Sequence, residues 1–553
     1  MSLRRSDDDE LGTVSRRRFI RSSVVLGGGL AGTAAIGRRA DAGPWPPAKP
    51  HRFDVRDFGA AGDGEIKDTA AIQRAIDAAA QAGGGVVELP AGTWLSGTVH
   101  LRSRVTIALA AGATLLASSD DDDFADAERL GFTTACDRET TDFAQALLAG
   151  RKLEHVAIVG DGVIDMARDE RFGPKPIALK RCRWVTVRGV TILRSPNYCV
   201  SLGGCEDVVI DGVTIREAFA DGIDPDCCRR VRIVDCDVEA DDDALCLKAS
   251  FHLGVRGVTE DVVIANCRLR SPSNCFKLGT ESTGDFRQIV LSNCVLSGLP
   301  PEDHDLTAAA EGAGIALLAV DGGTIDGVVV SNVVMSGVPA PLFVRLGNRG
   351  HDQPEPVPGR IRNVSISGVV AVGAKGTGSI VGLAEHPVEH ITLDNIRIGG
   401  AGGWARPEGL TVPDCDGQYP KPTMYGRLPA YGLYLRHVRD VVLRNVAIAA
   451  EHDDSRPALV ADRVGSFQLH GLSGTPGNGA GPVVWLNEVD GALVQGNLAP
   501  EDVDVFLRLT GAGTRDVALV GNGRWRTRRV QLAPELAPDA VTQSAGDGDG
   551  RAS

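Results

Sequence analysis

Short apolar runs rich in β-branched residues recur along most of the chain, separated by polar and glycine-rich turns. Runs at residues 185–187, 208–210, 231–233 and 262–264 follow one another at intervals of 23 to 31 residues, and a second run follows a few residues later, as at 190–192. Short strands at this period, without intervening helices, are typical of parallel β-helix coils. A β-sandwich, the competing architecture, does not repeat one side-chain pattern coil after coil. We therefore predict an all-β, single-stranded parallel β-helix, a solenoid.

Two residue types recur in register with these runs. The asparagines that lie between paired runs predict a stacked turn ladder: Asn266, Asn293, Asn332, Asn363, Asn395 and Asn445. The cysteines that recur once per repeat are Cys182, Cys205 and Cys228, then Cys236, Cys267 and Cys294. A residue that returns once per coil is expected in a core ladder, where cysteine packs as a small hydrophobe. We predict buried free thiols rather than disulfides, and no metal site, because no CxxC or Cys/His cluster occurs.

The N-terminal module at residues 52–101 has a different pattern. A strand and a glycine-rich loop precede Asp68, which is placed to cap a helix, and three glycines at 83–85 are placed to end it. The helix has an apolar face: Ala71, Ile72, Ala75, Ile76 and Ala79. A solenoid needs a cover over its first open coil, so we predict an N-terminal capping helix.

Two segments break the repeat. Residues 118–149 form a polar insertion that we interpret as a solvated loop, and residues 400–431 form a long glycine- and proline-rich excursion. Residues 536–553 are predicted to be a disordered tail. The parallel β-helix domain is therefore expected at residues 52–535.

The first residues indicate export. Residues 15–21 carry a twin-arginine pattern, followed by a short, weakly apolar stretch and an Ala-x-Ala site at 40–42. The stretch is too short to span a bilayer, so we expect no stable membrane anchor. We interpret residues 1–42 as a twin-arginine signal peptide and 43–51 as a linker, with the protein periplasmic or extracellular.

The net charge of −14 argues against nucleic acid and anionic membrane surfaces as partners. It also requires that cations be concentrated locally if the ligand is acidic. We expect a polysaccharide or oligosaccharide partner, no cofactor and a monomer.

Acidic residues concentrate at 221–226 and 241–248. Asp221 and Asp242 are 21 residues apart, about one coil, and Asp243 stands at the entrance of a strand. Adjacent coils lie about 4.8 Å apart, so these carboxylates should stack on one face. Crowded like charges raise at least one pKa, giving a proton donor beside ionised bases, as glycoside hydrolysis requires. The alternatives are an acidic turn or a Ca²⁺ site.

Several motifs resemble glycoside hydrolase family 28, the polygalacturonase family: Ser-Pro-Asn at 195–197, Asp-Gly-Ile-Asp-Pro-Asp at 221–226 and Asp-Asp-x-Leu-x-Leu-Lys at 242–248. The resemblance covers about residues 52–450. It implies a right-handed parallel β-helix and an inverting mechanism. It also implies that Asp221 and Asp243 activate water and that Asp242 is the general acid. The family's Asn-Thr-Asp is reduced here to its aspartate.

Two substrate-binding motifs of that family are missing. Its Gly-His-Gly has no counterpart at 271–281, and its Arg-x-Lys, expected near 314–318, is replaced by apolar residues. Other residues are candidates for substrate binding: Lys248, Lys277, Glu281, Arg345, Arg349 and Tyr425. Strand alternation turns Lys277 and Arg345 away from the core. These cations could instead neutralise the aspartates or face solvent, and the tyrosines near 419–434 could pack the excursion onto the solenoid.

We therefore predict an exported glycoside hydrolase that cleaves a pectic or related uronate-containing polysaccharide. One alternative is a β-helix polysaccharide lyase, in which the aspartates hold Ca²⁺ and Arg345 or Lys277 is the base. The other is a carbohydrate-binding β-helix without catalysis.

Overall fold

The chain winds into a right-handed parallel β-helix of three sheets. The computed structural model describes residues 51–299, 311–404, 411–474, 481–498, 503–522 and 530–543. Each complete coil passes through the first, second and third sheet in that order, as at Val200–Gly203, Glu206–Asp211 and Thr214–Ala218. The fold prediction is confirmed.

The strands of each sheet pair in parallel with the coils before and after. The first sheet contains Val99–His100, Ala146–Arg151, Lys175–Lys180, Val200–Gly203, Ile223–Asp226, Leu245–Leu247, Phe276–Leu278, Ala313–Ala319, Ala340–Leu346, Gly378–Val381, Val484–Asn487, Leu507–Thr510 and Val530–Leu532. The second contains Arg52–Asp54, Gly85–Leu89, Val105–Leu109, Glu154–Gly160, Arg183–Arg188, Glu206–Asp211, Arg229–Val234, Val258–Ala265, Asp490–Gln495, Arg515–Val520 and Val541–Gln543. The third contains Asp63–Lys67, Gly92–Ser96, Ala113–Ala117, Val163–Asp165, Thr191–Ser195, Thr214–Ala218, Asp237–Ala240, Arg268–Ser271 and Ser473–Gly474.

Six longer strands turn a corner without a break. Those shared by the second and third sheets are Asp285–Gly298, Thr324–Ser336, Arg360–Ala374 and Val388–Gly402. Leu433–His452 runs through all three sheets, and Leu459–His470 runs through the first and second.

Alternation within each strand forms one continuous core. In Arg183–Arg188, Val185 and Val187 are buried while their neighbours are partly or fully exposed. Val185 is paired with Val208, and Val208 with Val231, so like residues stack from coil to coil. β-Branched side chains suit this pleated, one-sided surface, which explains the repeat in the sequence.

The two predicted ladders are present. The six asparagines of the turn ladder all adopt the left-handed conformation, with φ between 49° and 59°. Asn332 donates to Asn293 at 3.2 Å, and Asn445 to Asn395 at 3.0 Å. Asparagine tolerates this conformation and its amides join along the ladder. The six ladder cysteines are buried free thiols, as predicted.

A helix, Thr69–Gln81, covers the first coil and buries the predicted apolar face. One detail differs from expectation. Asp68 occupies the N-cap position, but its carboxylate accepts hydrogen bonds from the Ala61 and Gly62 backbone N–H groups at 2.6 and 3.0 Å. It therefore fixes the glycine-rich loop rather than the helix N-terminus. The remaining helices are short: Val55–Phe58, Asp121–Asp123, Arg138–Thr141 and Pro422–Tyr425.

The solenoid extends beyond its predicted end. Val541–Gln543 pairs with Arg515–Val520, which adds a further coil. The tail is predicted at 536–553, so its predicted start lies before the last paired strand. The predicted signal peptide at 1–42 and all but the last residue of the predicted linker at 43–51 lie outside the described residues. None of the helices in the described ranges has the length and hydropathy needed to cross a membrane.

Candidate active site

The three predicted catalytic aspartates meet where the third sheet turns into the first. Asp221 follows the third-sheet strand Thr214–Ala218, and Asp242 and Asp243 follow Asp237–Ala240 on the next coil. One carboxylate oxygen of each lies within 4.8 Å of the others. The structure therefore brings together the three residues selected from coil spacing.

Their exposure divides them. The Asp242 side chain is 32% exposed, whereas Asp221 and Asp243 are buried. Asp242 is thus the carboxylate that a solvent-borne substrate can touch directly. Asp221 and Asp243 lie beneath it, and the Asp243 backbone N–H donates to Asp221 Oδ1 at 3.2 Å.

The buried pair is matched by two buried lysines. Lys248 Nζ donates to Asp221 Oδ2 at 2.9 Å, and Lys277 Nζ donates to Asp243 Oδ2 at 2.7 Å. Asn274 donates to the other Asp243 oxygen, also at 2.7 Å. Alternation turns Lys277 away from the core, as predicted, but its ammonium group neutralises an aspartate instead of lining open surface. The Lys248 ammonium group likewise pairs with aspartates, Asp221 and Asp224.

This arrangement separates the pKa values of the two buried carboxyls. Burial raises the pKa of Asp243 to about 6; Lys277 opposes the rise, while the charges of Asp221 and Asp242 add to it. Burial also tends to raise the pKa of Asp221, but the charges of Lys248 and Lys277 hold it below its ordinary value. The two buried aspartates therefore differ in proton affinity.

Sequence reasoning missed Asp224 as part of this cluster. It is buried on strand Ile223–Asp226, and its carboxylate also contacts Lys248. Burial and the charge of Asp221 raise its pKa well above the ordinary value. Tyr198 closes the cluster from the other side, with its ring centroid 3.8 Å from Lys248 Nζ. The alternation that singled out Lys277 applies equally to Asp224 and could have found it.

A second buried group lies on the same sheet. Asp226 accepts hydrogen bonds from the Ser250 backbone N–H at 2.8 Å and lies 2.9 Å from His252 Nδ1. Burial opposes ionisation of Asp226, but His252 and Ser250 hold its pKa at about 2. All three side chains are buried, so the group braces the first sheet.

Arg171 is the other residue that sequence reasoning missed. Its Nη1 donates to Asp242 Oδ2 at 2.8 Å, and its Nε and Nη2 donate to the two Glu139 oxygens at 3.0 and 2.9 Å. Glu139 belongs to the 118–149 segment, which we interpreted as a solvated loop. Instead, part of that segment packs beside the aspartates, which no local pattern indicated.

Arg345 and Tyr425 require correction. Arg345 points away from the core as predicted, but it is buried and donates to the Asp414 carbonyl at 2.8 Å and to Asp416 Oδ1 at 3.2 Å. Tyr425 is also buried, with its ring packed edge-on against Phe343 at 6.5 Å. Arg345 lies under the 411–431 part of the excursion, which folds back over the first sheet. Tyr425 belongs to that segment and packs onto the sheet, so neither residue lines an open surface.

The same cover accounts for the missing Arg-x-Lys. The outward positions of that stretch are Ala316 and Leu318, and both are buried in an apolar layer with Phe343 and Tyr425. Cations at these positions would be trapped beneath the excursion without solvent. The apolar residues are therefore what this covered surface requires.

Arg349 and Glu281 lie at the other edge of the first sheet, after the strands Ala340–Leu346 and Phe276–Leu278. Arg349 forms an ion pair with Asp321 at 2.6 Å and lies 3.7 Å from Glu281. The Arg349 guanidinium lies 5.8 Å from the ring centroid of Tyr419, whose hydroxyl is 3.2 Å from Thr280 Oγ1. Tyr419 is 56% exposed, so this tyrosine, rather than Tyr425, presents its ring beside the site.

Comparison with known proteins identifies the family. The profile of glycosyl hydrolases family 28 matches residues 129–412, slightly more than half of the chain. A profile described as rhamnogalacturonase A/epimerase, pectate lyase-like, matches residues 52–119. The chain therefore belongs to glycosyl hydrolases family 28 and is a glycosidase, which confirms the resemblance seen in its motifs.

The relatives differ in how much of each chain the similarity covers. A probable polygalacturonase of Vitis vinifera is 27% identical over 383 residues, covering 63% of this chain and 74% of that one. A mannuronan C5-epimerase of Azotobacter vinelandii is 33% identical over 259 residues, covering 44% of this chain but 22% of the epimerase. An exopolygalacturonase from Thermotoga maritima shares the fold, with a TM-score of 0.57 at 21% identity over 72% of this chain and 91% of that structure.

Proposed function

We propose that the protein hydrolyses glycosidic bonds in a pectic or related uronate-containing polysaccharide by an acid/base mechanism. The observation that carries the proposal is the difference in burial among the three aspartates. One carboxyl group is exposed to substrate, and two ion-paired carboxylates lie directly beneath it. Glycoside hydrolysis needs both a group that protonates the leaving oxygen and a carboxylate that activates water.

In this proposal Asp242 is the general acid, because it alone of the three reaches the surface. Asp221 and Asp243 orient and deprotonate the water. Lys248 and Lys277 keep those buried carboxylates in place and compensate their charge, since a buried carboxylate without a partner is strongly disfavoured. The pKa of Asp243, near 6, makes it ionised at neutral pH and lets it accept a proton from water.

Inversion of the anomeric centre is proposed from the family resemblance. The short distance between the carboxyl groups makes this part of the proposal the one most in need of a direct test. Inverting enzymes with two carboxyl groups place them about 6.5–9.5 Å apart, with water between them. Here one oxygen of each carboxylate lies within 4.8 Å of the others, so the water must be held beside Asp221 and Asp243. Proton NMR of the first product should show the anomer opposite to that of the substrate. A product with the same anomeric configuration as the substrate would contradict the inverting mechanism but not the proposal that the protein is a hydrolase.

The charges favour hydrolysis over a Ca²⁺-dependent lyase. Each of the three carboxylates already faces a cationic side chain, Lys248, Lys277 or Arg171. The bases considered for a lyase are also engaged, because Lys277 is buried against Asp243 and Arg345 lies under the excursion. A lyase would release unsaturated products that absorb in the ultraviolet. Hydrolysis gives none.

The defining experiment compares Asp242→Asn with Asp207→Asn. Asp207 is a matched control, since its side chain is 31% exposed and paired with Arg230 at 2.7 Å on the second sheet. We expect wild-type protein and Asp207→Asn to release reducing ends from polygalacturonate. We expect Asp242→Asn to lose about 10²- to 10⁴-fold in rate with an unchanged circular dichroism spectrum.

Undiminished turnover by Asp242→Asn would overturn the proposed acid. Absence of reducing-end release by the wild type across homogalacturonan and rhamnogalacturonan fragments would overturn the substrate class. A change in uronate composition at constant chain length would indicate epimerisation.

We also propose export by the twin-arginine route as a monomer, with the mature chain beginning near Gly43. The basis is the twin-arginine pattern at residues 15–21. Replacing Arg16 and Arg17 with lysine should leave the full-length protein in the cytoplasm of a bacterial host, whereas the wild type is processed and exported. Equal export of the variant would contradict the route. Light scattering of the purified protein tests the monomer.

A further inference from the structure

The basic side chains around the aspartates differ sharply in their access to solvent. Lys248, Lys277 and Arg349 have side chains that are 3%, 6% and 8% exposed, whereas the side chain of Arg171 is 34% exposed. An acidic ligand can pair only with a cation it can reach. Among these four, Arg171 alone offers that access.

Arg171 is also incompletely used by the protein. Its contacts with Glu139 and Asp242 account for three of the five guanidinium N–H groups within the described residues. One N–H on each Nη is left for a ligand. Two such groups on adjacent nitrogens can bind a carboxylate with both oxygens.

The segment that carries Arg171 is held in position by the Ser-Pro-Asn motif. The Phe172 backbone N–H donates to the Pro196 carbonyl at 2.7 Å, and Asn197 Nδ2 donates to the Gly173 carbonyl at 2.9 Å. The motif thus fixes a short loop above the aspartates. This gives it a concrete role that the sequence did not reveal.

Phe172 is the second unusual feature of this loop. Its ring is 75% exposed and its φ is 77°, a left-handed conformation that disfavours side chains other than glycine, asparagine and aspartate. It lines a cavity of about 210 Å³ together with the charged residues Arg138, Glu139 and Asp142 and with Gln145, Gly173 and Asn197. An aromatic ring held outward at a cost in backbone energy beside a polar cavity is suited to lie against the apolar face of a sugar.

We propose that Arg171 and Phe172 form the uronate-binding element of this enzyme. Arg171 binds the carboxylate of the sugar unit at the aspartates, and Phe172 lies against the face of a neighbouring unit. The inference rests on the proposed function for its substrate class. It places recognition on the loop at 171–173, one side of the aspartates, rather than on the strand positions covered by the excursion.

The element also affects the geometry of Asp242. Without ligand, Arg171 occupies Asp242 Oδ2. A substrate carboxylate that binds the two remaining Nη–H groups competes with Asp242 for the guanidinium charge and weakens its hold on that oxygen, which can then face the leaving glycosidic oxygen. A neutral, methyl-esterified unit offers no carboxylate to compete for Arg171, so the free acid is the better substrate.

The test measures both binding and turnover. Trigalacturonate binding is measured by calorimetry in an Asp243→Asn background, and hydrolysis of free-acid and methyl-esterified oligomers is measured in the otherwise wild-type enzyme. We expect Arg171→Gln to weaken binding and raise KM for the free acid by roughly 10- to 100-fold and to abolish the preference over the ester. Arg171→Lys should recover part of the loss, and Phe172→Ala should weaken binding about tenfold for both substrates. Arg183→Gln, an exposed arginine paired with Glu206 on the second sheet, should change neither by more than about twofold.

The outcomes separate the two proposals. Binding that depends on Arg171 without hydrolysis supports this inference and overturns the proposed reaction. Hydrolysis with an unchanged acid-over-ester preference in Arg171→Gln overturns the inference and leaves the reaction standing. Absence of both binding and hydrolysis overturns both.

Discussion

The outer face of the first sheet has two regions built on the same rows of residues. One row runs through Cys246, Lys277, Ala316, Phe343 and Ser379, each paired with the next. In the middle coils this face carries the ion pairs of the candidate active site. In the later coils it carries an apolar layer. Lys277 and Ala316 are adjacent, so the change takes place within one coil.

What covers each region explains the difference. The later coils lie under the 411–431 segment, whose Tyr425 packs against them, and apolar side chains are the ones that gain from being covered. The middle coils are only partly covered, and Arg171 and Asp242 remain open. Charges buried beside that opening persist because each carboxylate has a cation in hydrogen-bond contact. Strand alternation determines which residues face outward. Whether those residues form an apolar layer or an accessible charged site depends on whether the 411–431 segment covers them.

Removing a charge from the first region should have the largest effect. Lys277→Met leaves Asp243 buried without its ammonium partner, which should cost about 3 kcal/mol in the free energy of unfolding and at least about 100-fold in kcat. Urea denaturation and initial rates on polygalacturonate measure the two effects.

The matched control for this change is Lys421→Met. Lys421 forms an exposed ion pair with Glu311 at 2.6 Å, and its loss should cost less than about 1 kcal/mol and no activity. Equal effects of the two substitutions would show that the buried lysine has no special role.

The pH dependence should report the same region. The pKa of Asp243 lies near 6, raised by burial, and the proposed base must be ionised. The value of kcat/KM should therefore fall about tenfold per pH unit as the pH drops below 6. Lys277 lowers this pKa, so Lys277→Gln should shift the acidic limb upward.

The control for that profile is a variant of the covered region, Tyr425→Phe, whose acidic limb should coincide with that of the wild type. A wild-type rate that is flat down to pH 4.5 would exclude Asp243 as the base.

The contribution of Asp243 to the stability of the fold should change with pH in the direction opposite to the rate. The folded chain holds the Asp243 proton more tightly than the unfolded chain, so the contribution of this group to stability declines as the pH rises from about 4 through 6.

The features that could be predicted from the sequence are those set by the register of the strands. The period of the apolar runs yields the coils, and the spacing of Asp221 and Asp242 places both at one corner, because neighbouring coils stack residue on residue. The outward direction of Lys277 and Arg345 follows from alternation alone. These predictions needed only local regularity.

The remainder depends on irregular segments. Arg171 meets Asp242 across 71 residues, and Arg345 meets Asp416 across 71 residues. Neither the 118–149 insertion nor the 400–431 excursion has a periodicity that shows where it packs. Arg345 and Lys277 therefore looked equivalent, although Arg345 lies beneath a cover and Lys277 lies beside Asp243, a candidate catalytic residue.

Removing packing from the covered region should affect stability without affecting rate. Tyr425→Ala deletes a buried ring that contacts Phe343, and should lower the free energy of unfolding by about 3 kcal/mol. The kcat on polygalacturonate at 25 °C should stay within about twofold of the wild type. Thermal unfolding and steady-state kinetics provide the two measurements. A selective loss of kcat or a raised KM without destabilisation would restore Tyr425 as a substrate-binding residue.

The smallest expected effect sharpens the comparison most, because each region has an arginine paired with a solvent-exposed carboxylate. Asp242 is 2.8 Å from Arg171, and Asp416 is 3.2 Å from Arg345. The side chain of Asp416 is 55% exposed, and Arg345 keeps its hydrogen bond to the Asp414 carbonyl when that carboxylate is removed. Asp416→Asn should therefore cost about 1 kcal/mol or less in chemical denaturation and leave kcat/KM unchanged. A loss of activity comparable to that of Asp242→Asn would show that the covered surface takes part in catalysis, and that the two regions differ less than their residues indicate.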